Sequence, residues 1–138
     1  NALQFSAGQN NQVWFTEWTE DKIGRIDTQK HLPFSVSTPI KELTIKKGGS
    51  AEIKVTIKAP SSEKINMTAS GTFTPTGDLG NSTGSFSEES FPINAGDSKQ
   101  VSFIFTPSTD LKPGNYMLMI GAENDAISYL MAVKVNLV

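Results

Sequence analysis

The groups that could do chemistry in this chain are few and scattered. Its 138 residues include one histidine (His31), fourteen acidic side chains and no cysteine. Thiol nucleophiles, zinc–thiolate sites, blue-copper centres and disulfides are therefore excluded. A nucleophile relay would have to be built on His31 alone, and no Gly-x-Ser-x-Gly elbow is present. Glu88-Glu89 offers two adjacent carboxylates, but neighbours on a strand point to opposite faces, so they could share a substrate only across a bulge. Asp78, Asp97, Asp110 and Asp125 fall at turns without the alternating spacing of a calcium loop. Gly48-Gly49 lacks the Lys-Ser/Thr and helix of a phosphate loop. Met117, Met119 and Met131 alternate as core residues do, which favours packing over thioether ligation of copper. The pattern assigns no catalytic residue, no cofactor and no metal.

Binding chemistry is better represented. Trp14, Trp18 and Tyr129 carry flat rings that could form a surface for protein or for sugar faces if turned outward. Asn66-Met67-Thr68 and Asn81-Ser82-Thr83 are acceptor sequences for N-linked glycans in an exported setting. Twelve basic against fourteen acidic residues leave a formal charge of −2, which is no electrostatic footprint for nucleic acid or an anionic membrane. No run of about 18 apolar residues is available to span a bilayer. Fifteen Ser, thirteen Thr and no Cys suit an exported prokaryotic β-rich module, so an extracellular or cell-surface location is expected. The opening Asn1-Ala2, with neither an initiator Met nor a signal segment, reads as the start of an excised piece whose targeting information lies upstream.

The elements that must position these groups are strands. Ala51, Ile53, Val55 and Ile57 alternate with Glu52, Lys54, Thr56 and Lys58, a period of two with one wet face. The same period runs through Ile65, Met67, Ala69, Gly71 and Phe73. It returns through Val101, Phe103 and Phe105, through Tyr116, Leu118 and Ile120, and through Ile127, Tyr129, Met131, Val133, Val135 and Leu137. Leu43 and Ile45 make a short first strand, and a weaker one lies between Phe86 and Ile93. Turn formers separate them: Lys47-Gly48-Gly49, Ala59-Pro60-Ser61-Ser62, Asn94-Ala95-Gly96-Asp97, Lys112-Pro113-Gly114-Asn115 and Glu123-Asn124-Asp125. No stretch has helical spacing. The chain is expected to be all-β, with a seven-stranded antiparallel sandwich at 39–138 and a different texture, rich in short aromatic bursts, at 1–38. Residues 74–85 are nearly devoid of core formers and read as a long mobile connection between the sheets.

Asp110-Leu111-Lys112-Pro113-Gly114-Asn115-Tyr116-Met117-Leu118 resembles the Asp-x-Gly-x-Tyr-x-Cys stretch of immunoglobulin domains, with Leu118 in place of the cysteine. The resemblance implies an Ig-like sandwich in which Tyr116 is buried and its hydroxyl is bonded back to the chain upstream. The missing disulfide and its tryptophan partner make the chain more similar to the cysteine-free bacterial and archaeal Ig-like domains (the CARDB type) appended to exported enzymes and surface proteins.

Val13-Trp14-Phe15-Thr16-Glu17 followed by Lys22-Ile23-Gly24-Arg25-Ile26-Asp27 resembles one blade repeat of the streptogramin-lyase (virginiamycin B lyase) type of β-propeller. The resemblance covers about eighteen residues, 11–28, and departs where Asn10-Asn11-Gln12 stands in place of the usual glycine. It implies strands at 12–18 and 22–27, joined at Glu20-Asp21-Lys22, with Trp14 and Phe15 packing between blades. Such lyases use a His, a Glu and a divalent cation at the centre of a closed ring. One blade encloses no channel, His31 matches no motif position, and Glu17 occupies a position that recurs in every blade.

The expectation is thus a non-catalytic extracellular structural or interaction module appended to a β-propeller, presenting a surface to protein or glycan. The last long strand is its expected contact edge. The alternative is an accessory C-terminal tail of a lyase-like propeller enzyme whose active site lies outside this chain. Expected partners are the upstream propeller of the same parent chain, a protein or glycan, and a second copy paired through the N-terminal hairpin.

Overall fold

The computed structural model describes residues 2–7, 12–17, 22–27 and 32–138, the first three segments by their backbone alone apart from Trp14. It divides into two compact units, Asn1–Leu32 and Pro33–Val138.

The first unit is a three-stranded antiparallel sheet of β1 (Ala2–Ala7), β2 (Gln12–Glu17) and β3 (Lys22–Asp27), in that order. β2 and β3 pair in the register Trp14↔Arg25 and Phe15↔Gly24. The sequence reading placed two strands here. The third, β1, lies on the other side of β2 with Phe5 opposite Phe15.

The second unit is a sandwich of two sheets. Its strands are β4 (Ser35–Ser37), β5 (Glu42–Ile45), β6 (Ala51–Lys58), β7 (Glu63–Thr72), β8 (Thr83–Phe86), β9 (Ser90–Ile93), β10 (Ser98–Thr106), β11 (Gly114–Glu123) and β12 (Ser128–Leu137). One sheet has the order β4-β6-β10-β8, the other β5-β12-β11-β7-β9. The period-two runs do what their pattern dictates. Ile53, Val55 and Ile57 of β6 are fully buried against Ile65, Ile120, Val133 and Val135 of the facing sheet, while the charged residues between them face water. Each such side chain contributes about 1.5–3 kcal/mol through burial. Gly48 (φ +79°) and Gly96 (φ +84°) take left-handed turn positions open to glycine at no steric cost.

Four features depart from the sequence reading. The sandwich has nine strands rather than seven. Phe34 and Val36, placed in the linker by the boundary at 38/39, belong to its core: Phe34 is 0% exposed, and β4 pairs with β6 at Val36↔Ile57. The weak strand expected between Phe86 and Ile93 is two strands on different sheets, β8 against β10 and β9 against β7. Finally, pairing is not antiparallel throughout, because β5 runs parallel to β12. The chain makes β4 along one sheet and crosses at residues 38–41 to make β5 along the other, so one segment closes both sheets at that side.

Tyr116 is 2% exposed, and its hydroxyl donates to the Lys112 carbonyl at 2.8 Å. The bond ties the loop entering β11 to the strand that it feeds. Tyr116→Phe removes the donor but keeps the ring, so urea unfolding should show a loss of about 1 kcal/mol. An unchanged midpoint would mean that the hydroxyl holds nothing.

Candidate interaction surfaces

The described residues among those singled out from sequence are divided between the two units. Trp14 lies on β2 and is 39% exposed. Trp18 and His31 lie outside the described residues. Tyr129 is on the core-facing side of β12, half-buried against the hydrophobic core rather than turned outward. Asn66 is half-buried on β7, its Oδ1 accepting a hydrogen bond from Ser90 Oγ at 2.8 Å, whereas Asn81 is exposed in the connection before β8. The last strand is an edge only over its first part: β12 pairs with β11 along its whole length, but with β5 only over 134–137. Glu88 and Glu89 lie at the crossing from β8 to β9 rather than inside one strand. Glu88 pairs with Lys99 at 2.6 Å, an exposed ion pair of small energetic weight. Among the described residues, no three His, Asp or Glu side chains come together as metal ligands, and no helix is long and apolar enough to cross a membrane.

One groove in the second unit was not singled out from sequence. β7 pairs with β11 along 66–72 on one edge, but with β9 only over 63–66 on the other. The Met67 N–H donates to the Glu89 carbonyl at 2.7 Å on that second edge. Residues two apart on a strand direct their main-chain groups the same way, so Ala69 and Gly71 present N–H and C=O to this edge. Among the described residues, no strand pairs with it there. The strand that would cover it, β8, lies across the gap on the other sheet, held to β10 by Phe103↔Phe86 and Thr106↔Thr83.

Between these two margins runs a groove of about 440 Å³. Phe103, Phe105 and Leu118, all buried, form its floor, and the Phe86 ring packs on Phe103 at a centroid distance of 4.5 Å. Small residues make the space. The core-facing positions of β7 pass from Ile65 and Met67 to Ala69 and Gly71. On the opposite lip, a side chain at Gly84 would run into the Phe103 ring. One end is closed by Leu79, which packs over Gly71 so closely that a Cβ there would stand 3.0 Å from Leu79 Cβ. The connection read as featureless thus contributes a core residue, since Leu79 is 5% exposed. Glu89 is the one ionisable group on the groove's lining among the described residues. The signal in the sequence was the fall in side-chain volume along one face of β7.

No protein-family model matches the chain, and no curated protein matches it. Solved structures do resemble it in fold. A family 123 glycoside hydrolase from Clostridium perfringens, described in work on glycolipid glycan hydrolysis, superposes with a TM-score of 0.60 at 13% identity. The match covers 76% of this chain and 27% of that one. The E. coli chaperone DraB superposes with a TM-score of 0.50 at 9% identity, covering 75% of this chain and 54% of that one. At these identities the likeness is one of fold alone, and the chain spans about a quarter and about half of the two proteins' lengths.

Proposed function

We propose that residues 33–138 are an immunoglobulin-like interaction module, itself non-catalytic, carried beside a β-propeller in an exported or cell-surface protein. The observation that carries the Ig-like assignment is the Tyr116–Lys112 hydrogen bond at the entry to β11, in a sandwich whose first segment is divided between both sheets and runs parallel to the last strand. The accessory role is supported by the company such sandwiches keep, since in both similar structures the matching part belongs to a longer chain. The propeller reading is supported by the Trp-Phe-Thr-Glu strand, which pairs in register with the Ile-Gly-Arg-Ile strand as the inner part of a blade would. Of the two glycan acceptor sequences, Asn81 is the one open to modification, because the Asn66 amide is engaged and lies on a strand paired on both sides.

Two measurements test the reading. The chain incubated with a streptogramin and Mg²⁺ should show no turnover above buffer, and turnover would overturn the non-catalytic assignment. The parent reading frame upstream of Asn1 should hold further Trp-Phe-Thr-Glu…Ile-Gly-Arg-Ile repeats at intervals of about 40 residues. Their absence would remove the propeller from the proposal.

A further inference from the structure

We infer that the groove between β7 and β8 is a strand-acceptor site, which takes an uncharged extended segment of another protein as an added strand along the open edge of β7. The inference rests on reading the sandwich as an interaction module and names its partner chemistry.

Five observations converge on that occupant. The edge itself asks for main chain: Ala69 and Gly71 offer alternating N–H and C=O groups that an extended peptide complements bond for bond. The floor asks for apolar side chains at every second position of that peptide, because Phe103, Phe105 and Leu118 line the groove beneath the edge, while the lips at 68–71 of β7 and 83–84 of β8 carry only alanine, glycine and hydroxyl residues. The volume of about 440 Å³ is nearly three times the ~150 Å³ that holds a benzene ring in an apolar cavity, room for the two or three inward-facing aliphatic side chains of a short strand. From Met67 to Gly71 the edge runs roughly 13 Å at ~3.3 Å per residue, which sets the paired segment at about five residues. Charge disfavours an acidic insert, since the lining's one ionisable group is the Glu89 carboxylate at the end remote from Leu79, and beyond that carboxylate the lining offers no counter-charge to a strongly basic one.

The protection of the other edges points the same way. Exposed strand edges invite pairing, and proteins blunt them with proline, charge or short length. Of the strands at the ends of the two sheets, β9 carries Pro92, β5 carries Glu42 in an ion pair with Lys134 at 3.2 Å, and β4 and β8 are only three and four residues long. The open stretch of β7, Thr68-Ala69-Ser70-Gly71, has none of these guards.

The test is titration of the ¹⁵N-labelled chain with a synthetic heptapeptide, acetyl-Ser-Val-Thr-Leu-Thr-Val-Ser-amide, up to about 1 mM, followed by amide shifts and hydrogen exchange. The expected result is saturable shifts centred on Ala69 and Gly71, with slowed exchange of both amides. Two variants locate the site. Ala69→Pro deletes a donor on the stretch of β7 that no strand pairs among the described residues, and Ala69→Phe fills the groove while leaving the ladder to β11 intact. Each should weaken binding at least tenfold, and the second keeps the test decisive if the first distorts β7. Binding that survives both variants would overturn the groove as the site while leaving the interaction-module reading standing. Absence of binding at 1 mM would overturn the inference. Protection of Ala69 and Gly71 that grows with protein concentration and needs no peptide would overturn it too, since the occupant would then be a second copy.

Discussion

A chain cut to begin at Pro39 should unfold at least ~20 °C below one that begins at Pro33. The six residues between these starting points include Phe34, which has no exposed surface, Val36, and Thr38, the one buried polar residue among those described. Removing a buried phenylalanine costs about 3–5 kcal/mol and a buried valine adds about 1.5 kcal/mol or more. Together they approach the whole stability of a typical domain, about 5–15 kcal/mol. The cut also strips β4 from β6, leaving the main-chain groups opposite Ser35, Val36 and Ser37 without their strand partner. Thermal and urea unfolding of 33–138 and 39–138 side by side make the comparison. Equal midpoints would show that β4 decorates the sandwich rather than completing it.

Gly121→Val should be the most damaging single substitution in the five-stranded sheet. Gly121 sits near the C-terminal end of β11, buried, between Leu130 of β12 and Thr68 of β7. A Cβ built there would overlap the Tyr129 carbonyl oxygen and stand 2.9 Å from Leu130 Cα. Both neighbours are backbone, so no rotamer change relieves the clash, and β12 would have to move off β11. Overpacking a core with flexible neighbours costs about 1–3 kcal/mol. Here the rigid neighbour puts Val at or above the top of that range and Ala within it. Circular dichroism and urea unfolding of both variants give the order wild type, Ala, Val. A Val variant as stable as wild type would mean that the β11–β12 pairing is looser than the register implies.

The reading of particular strands shows where local information suffices. β6 was legible residue by residue, because its alternation of Ile and Val with Glu and Lys matches a strand with one wet face. β11 and its tyrosine were legible too, and the hydroxyl bond expected for Tyr116 is present. The stretch 86–93 was harder. Phe86, Phe91 and Ile93 all pack toward the core, yet Phe86 and Phe91 are an odd number of residues apart, so no single unbroken strand can turn all three inward. That slip was the sign of a change of sheet. β4 left almost no trace, since three residues with one apolar centre fall below any periodic signal.

The candidate site was less legible than the fold. Trp14 and Tyr129 were chosen because their rings could bind a partner, but residue type does not say which face a ring takes, and Tyr129 turned to the core. The groove depends on what is missing from an edge, and an edge exists only once strands are placed.

Composition and alternation by themselves determined that this chain is all-β, that no thiol chemistry is open to it, which faces of its long strands go inward and where its glycine turns fall. Those are local consequences of side-chain type and a period of two. Only the tertiary structure decided that the sandwich begins near Pro33, that β5 runs parallel to β12 and flanks only its last four residues, and that β7 keeps half an edge open above Phe103 and Phe105. Each of those is a pairing between segments distant in sequence. It is decided by which surfaces are left to bury once neighbouring strands have already taken theirs.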